Sequence, residues 1–125
     1  MSSKNDRITD GPLTIERSDE TDHICMRFIG KSILRDPSEF LQPILLQVLE
    51  EAEAMSHRLV LDFRSLTYMN SSTFTPLVKT LERAQLGRAT VQVIYNVAAK
   101  WQAVSFNALS IFSTSDGRIS VIGEE

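Results

Sequence analysis

Leu59-Val60-Leu61-Asp62-Phe63-Arg64-Ser65-Leu66-Thr67-Tyr68-Met69-Asn70-Ser71-Ser72 decides how the chain is read. Its first part, Arg58 to Phe63, is apolar without alternation, which predicts a central strand covered on both faces. Arg64 to Asn70 reads as a connection. The residues from Tyr68 to Pro76 mark a helix start, because Asn, Ser and Thr are all good N-cap residues. Pro76 fits the first turn, which places the cap at Ser72, Thr73 or Thr75. Four hydroxyls and an amide within Asn70–Thr75 exceed what one cap needs.

The rest of the chain falls into place on either side. Downstream, Phe74, Leu77, Val78, Leu81 and Ala84 recur at helical spacing and Gly87 stops the helix. Thr90 to Tyr95 reads as a buried strand. Ala98 to Phe112 reads as a helix whose inner stripe is Trp101, Val104 and Ala108, and Arg118 to Ile122 as a last strand. Upstream, Asp36-Pro37-Ser38-Glu39 carries a helix-start signal. The apolar stripe Phe40, Ile44, Leu45, Val48, Leu49, Ala52 and Met55 follows it. Pro43 implies a kink, or a main helix that begins at Pro43 itself. Leu13–Ile15 and His23–Ile29 form a predicted hairpin. Residues 1–11 are polar and read as a mobile N-terminal arm, leaving residues 12–125 as one domain. The order is β-β-α-β-α-β-α-β, an α/β fold with a mixed sheet packed with helices.

Composition bounds the function. The 125 residues suffice for one core. A net charge of −3 offers no electrostatic footprint for nucleic acid or an anionic membrane. No apolar run is long enough to span a bilayer and no secretory signal opens the chain, so direct membrane insertion is not expected and a cytoplasmic location is. The single cysteine, Cys25, excludes an intrachain disulfide and a cysteine zinc site. In its apolar run it reads as a small buried hydrophobe.

No enzyme signature is present. The five glycines are too scattered for a phosphate loop, and there is no nucleophile elbow. His23 and His57 sit in separate elements. No catalytic residue, metal or cofactor is therefore assigned. Asp62 interrupts the central strand at its C-terminal end. It either points into a crevice or bonds the backbone of the following loop, and the second reading is favoured. The hydroxyl cluster reads either as a cap alone or as a phosphorylation site. Free amides and the helix dipole favour a negative group there, and a phosphoryl group would add roughly two negative charges to an exposed edge.

The segment from Leu59 to Ser72 resembles the centre of STAS domains, in particular the anti-sigma-factor antagonists (the SpoIIAA-like type). There an apolar strand ending in Asp leads through a loop with an apolar-aromatic pair to Asp-Ser-Ser/Thr-Gly at a helix start. The order of elements from Ile24 to Ile122 agrees. The resemblance implies a regulatory docking domain and not an enzyme. In the family, the first serine of the motif is phosphorylated by a serine kinase that is also an anti-sigma factor, and a PP2C-type phosphatase reverses this.

Carried over, the phosphorylation candidates are Ser71, Ser72 and Thr73. The implied partner-binding surface is Asn70, Ser71, Ser72, Thr73 and Phe74, with Asp62, Tyr68 and Met69 as the supporting loop. The implied partners are a serine/threonine protein kinase or anti-sigma-type protein, the phosphatase, or, as for other STAS-like phosphoproteins, a diguanylate cyclase. Two positions depart from the family: Asn70 replaces its Asp and Thr73 its Gly. The switch is accordingly retained with a different partner, moved to Ser72 or Thr73, or lost. In the last case the chain is a non-phosphorylated docking subunit of a transporter or signalling assembly.

Overall fold

The computed structural model describes residues 5–125. Seven strands form one sheet: β1 (Asn5–Asp10), β2 (Leu13–Asp19), β3 (His23–Ser32), β4 (Arg58–Asp62), β5 (Leu66–Met69), β6 (Thr90–Asn96) and β7 (Ile119–Glu124). Three helices accompany them: α1 (Pro37–Ala54), α2 (Phe74–Leu86) and α3 (Lys100–Asn107). Short 3-10 turns at Ser71–Thr73 and Ala108–Phe112 enter α2 and extend α3. The strand order is β1-β2-β3-β4-β6-β7. The first two pairings are antiparallel and the next three parallel, so the mixed α/β sheet is as expected.

The sequence reading missed two strands. Asn5–Asp10 lies in the segment read as an N-terminal arm, yet it pairs along its whole length with β2. Gly11, at φ 59°, opens the two-residue Gly11-Pro12 turn that joins them. The strand was hidden because it is polar except for Ile8, which lies opposite Ile15, and an edge strand tolerates such charge. Residues 1–4 of that arm lie outside the described residues. The second missed strand, Leu66–Met69, leaves β4 and pairs in parallel with the far end of β3. The register shifts there between Gly30 and Lys31. Gly30 has φ 94°, and a Cβ on it would lie 2.1 Å from the Pro12 carbonyl oxygen, so only glycine fits.

The core draws on one parity of each strand: Leu13 and Ile15, Ile24, Met26 and Phe28, Leu59 and Leu61, Val91 and Val93, and Ile119. Against these pack Leu41, Leu45, Val48, Leu49 and Ala52 of α1, Leu77, Leu81 and Ala84 of α2, and Phe106 of α3. The central strand is buried on both faces, as expected for Arg58–Phe63, with the helices packed against the face that carries Leu59 and Leu61. Val60 and Asp62 are still buried. They point to the other face, flanked in register by Cys25 and Gln92 and by Arg27 and Ile94.

Helix α1 is capped as expected, with the Asp36 side chain accepting from the Glu39 amide at 3.2 Å. It runs unbroken through Pro43, which is exposed. The stripe expected on α3 is reversed. Val104 is 72% exposed and Ala108 is exposed, whereas Gln102 and Phe106 are fully buried. Hydrogen bonding explains the rotation. The Gln102 carbonyl oxygen accepts from the Asn96 amide at 2.7 Å, and its amide nitrogen donates to the Phe63 and Leu66 carbonyls at 2.7 Å each. Three hydrogen bonds on a buried amide outweigh the burial of one valine. Trp101 is half-buried against Phe106, with ring centroids 6.3 Å apart.

Candidate functional site

The site is built where three connections meet at one end of the sheet. Strand β4 ends at Asp62. The chain then turns through Phe63–Ser65, crosses to the end of β3 as β5, and enters the 3-10 turn that becomes α2. Phe63 is fixed from both sides. Its ring stacks on Phe28 at 4.4 Å and lies 4.8 Å from Phe106. Its amide donates to the Ile94 carbonyl at 2.8 Å. Leu66 and Met69 are buried while Thr67 and Tyr68 face outward. The supporting loop is thus a rigid platform with one exposed aromatic ring.

Asp62 bonds the loop that follows it. Its carboxylate accepts from the Arg64 amide at 3.0 Å and from the Arg64 guanidinium at 3.0 and 2.9 Å. Burial would raise the carboxyl pKa, but the Arg64 hydrogen bonds and charge outweigh it and hold the group below its ordinary value. Arg64 also reaches Glu124 at 3.1 Å. Asp62 therefore clasps the loop and is an ionised structural group. Cys25, half-buried on the same face, has its thiol pKa raised by burial and then by the Asp62 charge.

The helix entry differs in part from the expected caps. Thr73 holds the cap position of α2, as one of the expected caps, but makes no side-chain cap bond there; the side-chain cap is Asn70, which caps the 3-10 turn that precedes the α-helix. The Asn70 Oδ1 accepts from the Thr73 amide at 3.2 Å, the Thr73 hydroxyl at 2.6 Å and the Ser72 hydroxyl at 3.3 Å. Its Nδ2 donates to the Leu34 carbonyl at 3.1 Å, and its backbone amide to Ser32 at 3.0 Å. Asn70 thus ties the helix start to the end of β3. A carboxylate could not donate the bond to Leu34.

The three hydroxyl candidates sit in unlike surroundings. Thr73 is 2% exposed, and its Oγ1 also meets the Ser32 hydroxyl at 2.8 Å inside the fold. Ser71 and Ser72 are exposed. Ser71 is the first residue of the turn, where amides lack intrahelical acceptors and the dipole is positive. Phe74 is half-buried, its ring 5.7 Å from that of Phe106. Tyr68, 49% exposed, lies on β5 two residues before Asn70, and Ile33, 55% exposed, follows Ser32, the last paired residue of β3. Sequence reasoning missed Ser32, which the pairing of β3 with β5 brings to the site beside Thr73.

Other chemistry lies elsewhere. A cavity of about 590 Å³ opens at the opposite end of the sheet, lined by Glu50, Glu53, Ser56, His57, Arg88 and Thr90. Register also brings His23 beside Arg58 at that end. Among the described residues no group of three histidine, cysteine or carboxylate side chains could hold a metal. No described helix is long and apolar enough to cross a membrane.

No family model matches the chain, and no curated protein matches it either. Solved structures do. An anti-sigma factor antagonist from Mycobacterium paratuberculosis superposes with a TM-score of 0.56 at 21% identity, over 88% of this chain and 93% of that one. An uncharacterised protein of the DUF3478 family with a SpoIIAA-like fold, from Shewanella loihica, gives a TM-score of 0.48 at 18% identity, over 99% and 91%. With its mixed sheet, its helices and its strand-loop-helix centre at Leu59–Ser72, the chain shares the fold of that anti-sigma factor antagonist.

Proposed function

We propose that this protein is a regulatory docking domain whose partner binding is switched by phosphorylation of Ser71. One observation carries the reading. Of the three hydroxyls at the helix entry, Thr73 is buried and doubly bonded, Ser72 leans on Asn70, and Ser71 stands exposed at the first position. A phosphoryl group on Ser71 would sit at the positive end of α2 without disturbing the core. It would add roughly two negative charges to an edge that also exposes the Tyr68 ring, on which a partner could rest. Desolvating that charge would oppose docking.

The partner is a bacterial serine kinase of the anti-sigma type, with a PP2C-type phosphatase as the opposing enzyme. The test is binding of the purified chain to candidate kinase partners before and after phosphorylation. The unmodified form should bind and the Ser71-phosphorylated form should bind at least about tenfold more weakly. Equal affinity of both forms would end the proposal. Equal affinity would instead fit a constitutive docking subunit, the reading that the neutral Asn70 favours.

The domain acts by binding and not by catalysis. Asp62 is engaged by Arg64, and the roomy cavity lies at the other end of the sheet.

A further inference from the structure

The cavity of about 590 Å³ at the end of the sheet remote from Ser71 lies between the C-terminal end of α1 and the connection from α2 to β6. Its size is within the roughly 300–1,000 Å³ of small-molecule sites. Its lining is polar, and the chain leaves much of that lining unpaired. Ser56, His57, Arg88 and Thr90 all line it. Among the described residues, none of their side chains has a hydrogen-bond or ion-pair partner. His57 Nδ1 is the one buried side-chain nitrogen or oxygen of the described residues left in that state. Such an orphan points to a group that the chain does not supply. Ser56 beside it is the one described non-glycine residue with positive φ, at 56°, and it follows a helix end where glycine is usual. The strain keeps a hydroxyl at the cavity that glycine would lack.

Charge is divided between the two elements. On α1, Glu53 accepts from the Arg88 backbone amide through Oε2 and leaves Oε1 open. Gly87 makes room for this carboxylate, since a Cβ there would lie 2.6 Å from Oε2. Glu50, three residues earlier, is shared with Arg83 at 3.9 Å. The last turn of α1 holds no basic residue, so the negative end of the helix is uncompensated. On the α2–β6 connection, the Arg88 guanidinium has no carboxylate partner among the described residues.

We infer that this cavity binds a small zwitterion, a free polar α-amino acid, with its ammonium against Glu53 and the end of α1 and its carboxylate on Arg88. An anion alone would meet Glu50 and Glu53, and a cation alone would meet Arg88, so the lining favours a ligand that carries both charges. An uncharged side chain that both donates and accepts matches the Ser56 and Thr90 hydroxyls and the His57 ring. Glu50, Ser56, Arg88 and Thr90 are exposed, so the affinity is modest, at roughly 1 mM.

Amide NMR of the full chain, titrated with L-glutamine, L-asparagine and L-serine to about 20 mM, tests this. The N-acetyl and α-amide derivatives of each, which lack the ammonium and the carboxylate respectively, are run beside them. The expected result is saturable shifts of the 53–57 and 87–90 amides with at least one of the three amino acids, weakened at least about fivefold in both of its derivatives. Arg88→Gln changes an exposed position, and Glu53→Gln can still accept from the Arg88 amide. Each should weaken binding by a similar factor, and thermal melts confirm that both variants fold. No saturable shift at those residues with any of the three amino acids would overturn the inference. Equal binding of a derivative that lacks one charge would overturn it too, as would binding unchanged by both substitutions. None of these results bears on Ser71.

Discussion

Two side-chain amides hold the same end of the sheet and serve it differently. Gln102 is fully buried and makes three hydrogen bonds, all to backbone groups of the 63–66 loop and the end of β6. Asn70 is half-buried, ties Thr73 inward and Leu34 across, and leaves Ser71 outside. The same chemical group serves once as foundation and once as frame. The foundation can tolerate no loss of a partner. The frame leaves the Ser71 side chain exposed, which is what the proposed phosphorylation requires.

The predictions test that contrast in order of size. Gln102→Leu should be the most damaging, since it strands the Asn96 amide and the Leu66 carbonyl in the core. A loss of about 3 kcal/mol is expected in urea unfolding. A loss below about 1 kcal/mol would mean that water or a shift of α3 replaces the amide. Thr73→Val keeps the shape but removes the hydroxyl between Ser32 and Asn70, and should cost about 2 kcal/mol. Asn70→Asp keeps the cap and loses the donor to Leu34, for about 1 kcal/mol.

The Asp62–Arg64 clasp contributes less, because Arg64 is partly in solvent. The folded-state pKa of Asp62 lies below its ordinary value of 3.8. Its contribution is thus present at neutral pH and lost as pH falls below about 4. Asp62→Asn should flatten that part of the acid-unfolding curve and leave the alkaline side unchanged. At the bottom of the scale, Ser71→Ala should change stability by less than about 0.5 kcal/mol, which separates the exposed serine from the frame.

Much of this was legible in the residues. The apolar runs at Leu59–Phe63 and Thr90–Tyr95, and the cap at Asp36, announce themselves by composition and local chemistry. The resemblance of Leu59–Ser72 to the STAS segment pointed to the fold and to the hydroxyl cluster. What stayed hidden depended on distant pairing. Asn5–Asp10 is too polar to read as a strand until β2 is beside it. Leu66–Met69 becomes a strand only because β3 continues past β4. The orientation of α3 was misread because periodicity counts Val104 as apolar, and cannot see that three backbone groups await Gln102. Thr73 and Ser71 look alike in sequence. Only the approach of Ser32 makes one a core residue.

The most direct test is the intact mass of the protein isolated from its native host, with and without phosphatase, followed by mapping of the peptide that contains Ser71, Ser72 and Thr73. The expected result is a phosphatase-sensitive species heavier by one phosphoryl group, with the modification on Ser71 and none on Thr73. A single unmodified mass across growth and stress conditions, or phosphate on Thr73, would contradict it.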